Sequence, residues 1–194
     1  MRVTGLLHDV GHGPFGHFFD DNFLYAYDLT HEDLGQIIIQ NHLGEIISQL
    51  RRSPSGPFDP GEELRPVDIA FPIKKDGKED HRKPKWVRFL EPLTSGIFTF
   101  DNLDYVSRDS YMCGVAVGPV DRARLLHYTF FSPKGLTLHK AGNSALTMFL
   151  NTRLYLYTNV YYHRTTRAID LHLREIFPET MRVLFPGNPT EHMD

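Results

Sequence analysis

A mainly α-helical fold, carrying one long loop or lid and a small antiparallel β-hairpin, is what this 194-residue chain predicts. Three observations predict it. Apolar residues recur every three or four positions behind Thr30 and again from Asn143 to about Phe177, the period of helices with one buried face. Strand-like runs are confined to the short stretches 115–120 and 136–139. Between the helical parts, residues 51–93 are dense in Pro, Gly and charge, the texture of a loop or lid rather than a linker between two cores. This length suits one domain with a substantial core.

The elements follow in order. Arg2 to Val10 reads as a short helix with Val3, Leu6, Leu7 and Val10 on one face, ended by Gly11, so that His8 sits in its last turn. Phe15, Phe18, Phe19, Phe23 and Leu24 continue an apolar rhythm through a second short helical piece and belong to the core. Thr30 is a good N-cap with Asp33 at the capping-box position, and Leu34, Ile37, Ile38, Leu43, Ile46, Ile47 and Leu50 form the buried stripe of the helix that follows. In 51–93, the basic residues Lys74, Lys75, Lys78, Arg82, Lys83, Lys85 and Arg88 are interrupted by Asp76, Glu79 and Asp80, which favours a solvated surface over a phosphate site.

Another helix begins around Phe98. It places Asp101, Tyr105 and Asp109 at i, i+4 and i+8 on one face. Residues 115–120 and 136–139 make the hairpin, with Pro133-Lys134-Gly135 as a turn. The longest helix then carries an apolar stripe of Leu146, Leu150, Leu154 and Val160 beside a polar-aromatic one of Arg153, Tyr157, Tyr161 and Arg164, until Pro178, Pro186 and Pro189 end the ordered region.

Charge and composition exclude several classes. Lys plus Arg number 21 against 24 Asp plus Glu, a net charge of −3, so nothing demands a nucleic-acid or membrane partner. No run approaches a membrane span, and the single cysteine, Cys113, rules out an internal disulfide and reads as a small core residue. A cytoplasmic protein is expected. There is no P-loop, GxGxxG or Gly-x-Ser-x-Gly elbow.

The chemistry gathers in Leu6-Leu7-His8-Asp9-Val10-Gly11-His12-Gly13-Pro14-Phe15-Gly16-His17. A lone histidine is more often a hydrogen-bonded core residue. Three histidines and a carboxylate at a helix end reverse that balance. Imidazole and carboxylate without thiolate suit a divalent ion such as Zn, Mn, Fe or Ni with open positions for water and substrate. Neighbours on a helix stand about 100° apart, so His8 and Asp9 share a metal only where the backbone turns, and Gly11, Gly13 and Pro14 supply the turn. His31, in the first turn behind Thr30, meets the positive end of the helix dipole and suits a proton-transfer role.

The run LLHDVGHGPFGHFFD resembles the signature of the HD-domain phosphohydrolases, in particular their deoxynucleoside triphosphate triphosphohydrolase branch. The likeness extends to the Thr30-His31-Glu32 helix start, to the block Phe100 to Asp109 and to Arg153 through Arg164, in that order. It implies a helical bundle of the HD type and a divalent metal (Mn, Fe, Mg, Zn or Ni) held by His8, Asp9 and Asp101. It further implies catalytic histidines at His12, His17 and His31, with Asp20 and Glu32 as supporting carboxylates, and sugar and phosphate contacts from Tyr105, Asp109, Arg153, Tyr157 and Tyr161. The activity implied is attack of water on the α-phosphorus of a dNTP, releasing deoxynucleoside and triphosphate, in a homo-oligomer.

Three departures qualify the resemblance. The family's upstream metal-binding histidine has no counterpart before His8, as if an N-terminal part were absent. Tyr157 stands one turn after Arg153, where the better-known family member has a histidine, and Asn102 where a lysine often sits. Two other readings therefore remain: a catalytically impaired nucleotide-binding or assembly module, and an HD phosphohydrolase acting on other nucleotide phosphoesters.

Overall fold

The computed structural model describes residues 1–74, 84–117 and 120–192. In chain order the helices are α1 (Arg2–Leu7), α2 (His17–Asn22), α3 (His31–Ile37), α4 (Gly44–Ser48), α5 (Pro66–Ala70), α6 (Lys85–Leu90), α7 (Phe100–Met112), α8 (Arg122–His127), α9 (Asn143–Leu156) and α10 (Arg164–Leu184). Two antiparallel hairpins accompany them: β1 (Arg52–Ser53) with β2 (Gly56–Pro57), and β3 (Thr129–Ser132) with β4 (Gly135–Leu138). The mainly helical expectation holds. The chain forms two compact units, Met1–Arg88 with Leu173–Asp194, and Phe89–His172.

In the first unit α3 starts as its cap dictates. The Thr30 side chain accepts from the Asp33 N–H, and the Asp33 carboxylate accepts from the Thr30 N–H at 3.0 Å, closing a reciprocal capping box. The helix then widens into a π-turn at Ile38–His42, where Leu43 N–H donates to Ile38 O at 3.0 Å, before α4 resumes. The extra residue shifts the buried stripe by one position. Ile39 and Ile47 are inside, while Ile46, expected inside, is 62% exposed, and Leu50 is also exposed.

Two apolar clusters hold this unit. Phe19, Phe23, Leu24 and Leu34 pack with Phe177 and Met181 of α10, and Ile39 and Ile47 pack with Ile69, Ala70 and Ile73. Phe15, expected in the core, is 66% exposed and meets Phe177 edge-on at 5.9 Å. Leu6 of α1 points outward, and Thr4 takes the buried place instead.

The stretch read as a loop or lid contributes to the core. Pro66 opens α5, where a missing N–H costs nothing, and Ile69 and Ala70 are buried against Val3, Leu7 and Val10 from the start of the chain. Gln36 Nε2 donates to Ala70 O at 3.1 Å, and the Lys74 ammonium pairs with Asp33. Lys75, Asp76, Lys78, Glu79, Asp80, Arg82 and Lys83 lie outside the described residues.

In the second unit, Leu103 and Val106 of α7, Leu125 of α8, and Ala145, Phe149 and Leu156 of α9 form one cluster. The buried face of α9 is therefore Ala145, Phe149, Thr152 and Leu156, spaced 4, 3 and 4 apart, and Leu150 and Leu154 of the expected stripe are exposed. The hairpin's second strand falls where expected. Its partner is Thr129–Ser132, in register Thr129 with Leu138, and residues 115–117 and 120 are not strand, while 118 and 119 are outside the described residues. Two further expectations fail: Cys113 is an exposed C-cap of α7, and α10 runs through Pro178 to Leu184.

Replacing Ile69 by Ala should cost about 2–4 kcal/mol in denaturant unfolding, the range for emptying a packed site, where a mere lid would show almost none. Burial alone would raise the Asp33 carboxyl, but Lys74 and the Thr30 hydroxyl and N–H overcome it and hold it below the usual value. A depressed carboxyl stabilises the fold above the unfolded value, about 3.9, and loses that contribution as pH falls through the folded one. Melting curves of Asp33→Asn should accordingly lose part of the wild-type drop in stability below about pH 4.

Candidate metal centre

The motif turn is built from α1 outward. Helix α1 ends at Leu7 and His8 is its C-cap in helical geometry, after which Val10 N–H donates to Leu7 O at 3.1 Å and His12 N–H to Asp9 O at 3.0 Å. His8 Nδ1 lies 2.9 Å from the Gly5 carbonyl, which can only accept, so Nδ1 carries the hydrogen. In the neutral ring the lone pair is then on Nε2, which stands 3.3 Å from Asp9 Oδ2. Asp9 Oδ1 faces His12 Nε2 at 3.5 Å. The hydrogen bond from His12, with the nearby His8 and His31 rings, holds the Asp9 carboxyl below its ordinary value against the opposing effect of burial. An imidazole lone pair this close to an ionised carboxylate is a contact that a proton or a cation relieves, so the donor set fits a divalent ion.

Gly11 explains how the motif meets α3. A Cβ there would stand 2.0 Å from His31 O and 2.3 Å from Gly35 N, so only glycine lets the two backbones touch. Gly11 and Gly13 do not supply the left-handed turn. That falls on Phe15 (φ 69) and Gly16 (φ 60), which swing the chain into α2. Gly35 is the partner that sequence reasoning missed, and its one signal was a glycine inside a helix, where it costs about 1 kcal/mol against alanine.

The contact sets His31 beside the motif. Its ring stacks on His12 with centroids 3.8 Å apart and planes at 17°. His17, the first residue of α2, approaches His12 edge-on at 4.7 Å and His31 at 5.0 Å. Asp20, one turn along α2, is only 3% exposed, and its Oδ2 accepts from His31 Nδ1 and faces His17 Nδ1 at 3.9 Å. One ligand atom from each of His12, His17, Asp20 and His31 lies within 4.8 Å of the others. Asp20 is thus a member of this group, and Glu32, next in α3, is not among the four.

The second unit assembles its own group. Thr99 caps α7, whose first turn holds Asp101. Further along, Asp109 is gripped from both sides: Tyr161 OH donates to Oδ2 at 2.6 Å and Arg108 Nη1 to Oδ1 at 3.0 Å. Tyr157 and Tyr161 sit in a π-turn, Tyr157–Tyr161, closed by Tyr162 N–H donating to Tyr157 O at 2.9 Å. Their rings meet edge-on at 5.3 Å, and the Arg153 guanidinium covers Tyr157 at 5.6 Å. Tyr105 approaches Tyr161 at 6.2 Å. Burial, then the Tyr157 hydroxyl, pushes the Tyr105 phenol up to about 12, and burial with Asp109 pushes Tyr161 up as well. Both are neutral hydroxyls near pH 7, suited to hydrogen bonding rather than to acting as bases. Arg164 is exposed at the start of α10.

Residues 1–83 match the HD-domain family model. That stretch belongs to the HD-domain family. The chain is 32% identical over 175 residues to the uncharacterized protein YwfO of Bacillus subtilis, covering 90% of this chain and 35% of that one. To the deoxynucleoside triphosphate triphosphohydrolase SAMHD1 of Gallus gallus it is 27% identical, over 91% of this chain and 31% of that protein. Among solved structures, it resembles a phosphohydrolase of Bacteroides thetaiotaomicron with a TM-score of 0.65 and 26% identity, over 98% of this chain and 42% of the other. A hypothetical protein of Aquifex aeolicus gives 0.70 and 27%, over 95% and 44%. The chain spans about a third of the length of these curated relatives.

Gly11→Ala should lower unfolding stability by more than about 2 kcal/mol, because backbone rather than side chain must move. Gly16→Ala, where a Cβ meets nothing within 4 Å, should lose only the backbone strain of φ 60 with ψ −129, about 1–3 kcal/mol.

Proposed function

We propose that this HD domain is a metal-dependent phosphohydrolase that acts on dNTPs and releases deoxynucleoside and triphosphate. The observation that carries the hydrolytic reading is the His8-Asp9 corner joined through Gly11 to the His12, His17, Asp20 and His31 group. The triphosphohydrolase among the relatives supports the substrate.

In this reading His8 and Asp9 hold the metal, with Asp101 as the further carboxylate that the motif order assigns. A bound divalent ion supplies Lewis acidity and a more acidic coordinated water. The residues do the rest. Asp20 fixes the tautomer of His31 and leaves its Nε2 to take a proton from the attacking water. As water's oxygen bonds the α-phosphorus, the bond to the 5′ oxygen breaks, and that oxygen takes a proton from one of the neighbouring imidazoles, His12 or His17. Glu32, beside His31, supports the group electrostatically. Arg153 provides a planar donor fork for phosphate oxygens. Tyr105, Tyr157 and Tyr161 offer rings and hydroxyls to the deoxyribose, with Asp109 fixing Tyr161. Assembly into a homo-oligomer is part of the same proposal.

Incubating the chain with Mn²⁺ and each dNTP should yield inorganic triphosphate. Orthophosphate instead would overturn the proposed cleavage in favour of another phosphoester reaction, and nucleotide binding without turnover would indicate a binding module. Asp9→Asn and Asp101→Asn should each reduce metal content and turnover by about 10–100-fold or more. Asp20→Asn should lower kcat by about 10²–10⁴ with metal content at the His8-Asp9 corner retained.

A further inference from the structure

We propose that the groove between α9 and Ala116-Val117 binds an uncharged purine nucleoside, recognised by Asn151 and Thr152. Every described lining residue belongs to the second unit. The groove has a volume of about 630 Å³, inside the range of small-molecule sites. It lies across the helix from the proposed phosphate fork: Asn151 and Tyr155 each stand two positions from Arg153, which at about 100° per residue is about 160° round the axis.

Thr152 is the side chain that calls for a ligand. It lines the groove although only 4% exposed, and its hydroxyl makes no hydrogen bond among the described residues. The hydroxyls of Thr147, Thr158 and Thr180 each donate instead to the carbonyl four residues back, at 2.8–3.0 Å. A buried hydroxyl without a partner is costly, and a polar ligand seated in the groove provides one.

The rest of the lining sets the chemistry. No described lining residue is charged, so a phosphate or carboxylate would enter without a counter-ion. Asn151 holds an amide donor and acceptor side by side, the pair that matches a purine edge. Met148 and Tyr155, one turn to either side of it and each about half exposed, offer a thioether and a ring to the faces of the base. Ser144 and Thr152 bring hydroxyls that can both donate and accept to the sugar.

The test is equilibrium dialysis of the whole chain against adenosine without divalent metal, beside AMP and glucose. Adenosine should occupy one site per chain, AMP should bind more weakly and glucose should not bind. Asn151→Leu should weaken adenosine binding by about tenfold or more. Thr152→Val should weaken it by about fivefold with the melting temperature unchanged or raised, whereas a hydroxyl needed by the fold would lower it. Absence of saturable adenosine binding, affinity equal to wild type in Asn151→Leu or Thr152→Val, or tighter binding of AMP or glucose would each overturn the proposal. Loss in Arg153→Ala with retention in Asn151→Leu would place the nucleoside at the proposed substrate site and overturn this one. Because no metal or turnover is involved, failure of the hydrolase reading leaves this result untouched.

Discussion

The close approach of Gly11 to the start of α3 is the constraint on which the candidate centre depends. A sequence-local motif places His8, Asp9 and His12 within about one turn of one another, but a motif alone cannot recruit His31 from another helix. Backbone touching backbone does so. It fixes the stacking of His31 on His12, and through the buried Asp20 it also fixes the orientation of α2 relative to α3. The capping box at Thr30 acts on the same point from the other side, because it defines where α3 begins and hence that His31 is its first residue.

The scaffold under this contact is supplied by parts of the chain far apart in sequence. Phe177 and Met181 come from α10 to pack on Phe19 and Phe23, and Ile69 and Ala70 come from α5 to pack beneath α1. The aromatic residues that follow the motif are thus fastened by a core rather than carried on a free loop. That rigidity suits a site in which proton transfer and ligand binding both require nitrogen positions held within a fraction of an ångström.

What was legible in the sequence was local. The capping residues, the turn after α1 and the shared face of Asp101, Tyr105 and Asp109 all follow from spacing and side-chain chemistry within one or two turns. What was not legible depends on insertions and on distant partners. A π-turn leaves no composition signal, so the stripes of α3 and α9 were read with a period that the backbone does not keep beyond Ile38 and Tyr157. Helix α5 is short and sits among Pro and charge, and packing against Ile39, Ile47, Val3, Leu7 and Val10 makes it worth forming. Pro178 reads as a stop, yet the helix continues because Phe177 and Met181 on either side are anchored in the core. For the candidate site, the pairing of Asp20 with His31 and the role of Gly35 needed three dimensions. The grouping of the motif histidines did not.

The widened turns at Ile38–His42 and Tyr157–Tyr161 each hold one residue more than a regular helix would use. Losing a single amino acid from either would leave the chain helical. The side chains on the far side of the cut would nevertheless rotate by about 100° relative to those before it. At Tyr157–Tyr161 that rotation would carry Tyr161 away from Asp109, so the widened turn is what lets the phenol reach the carboxylate.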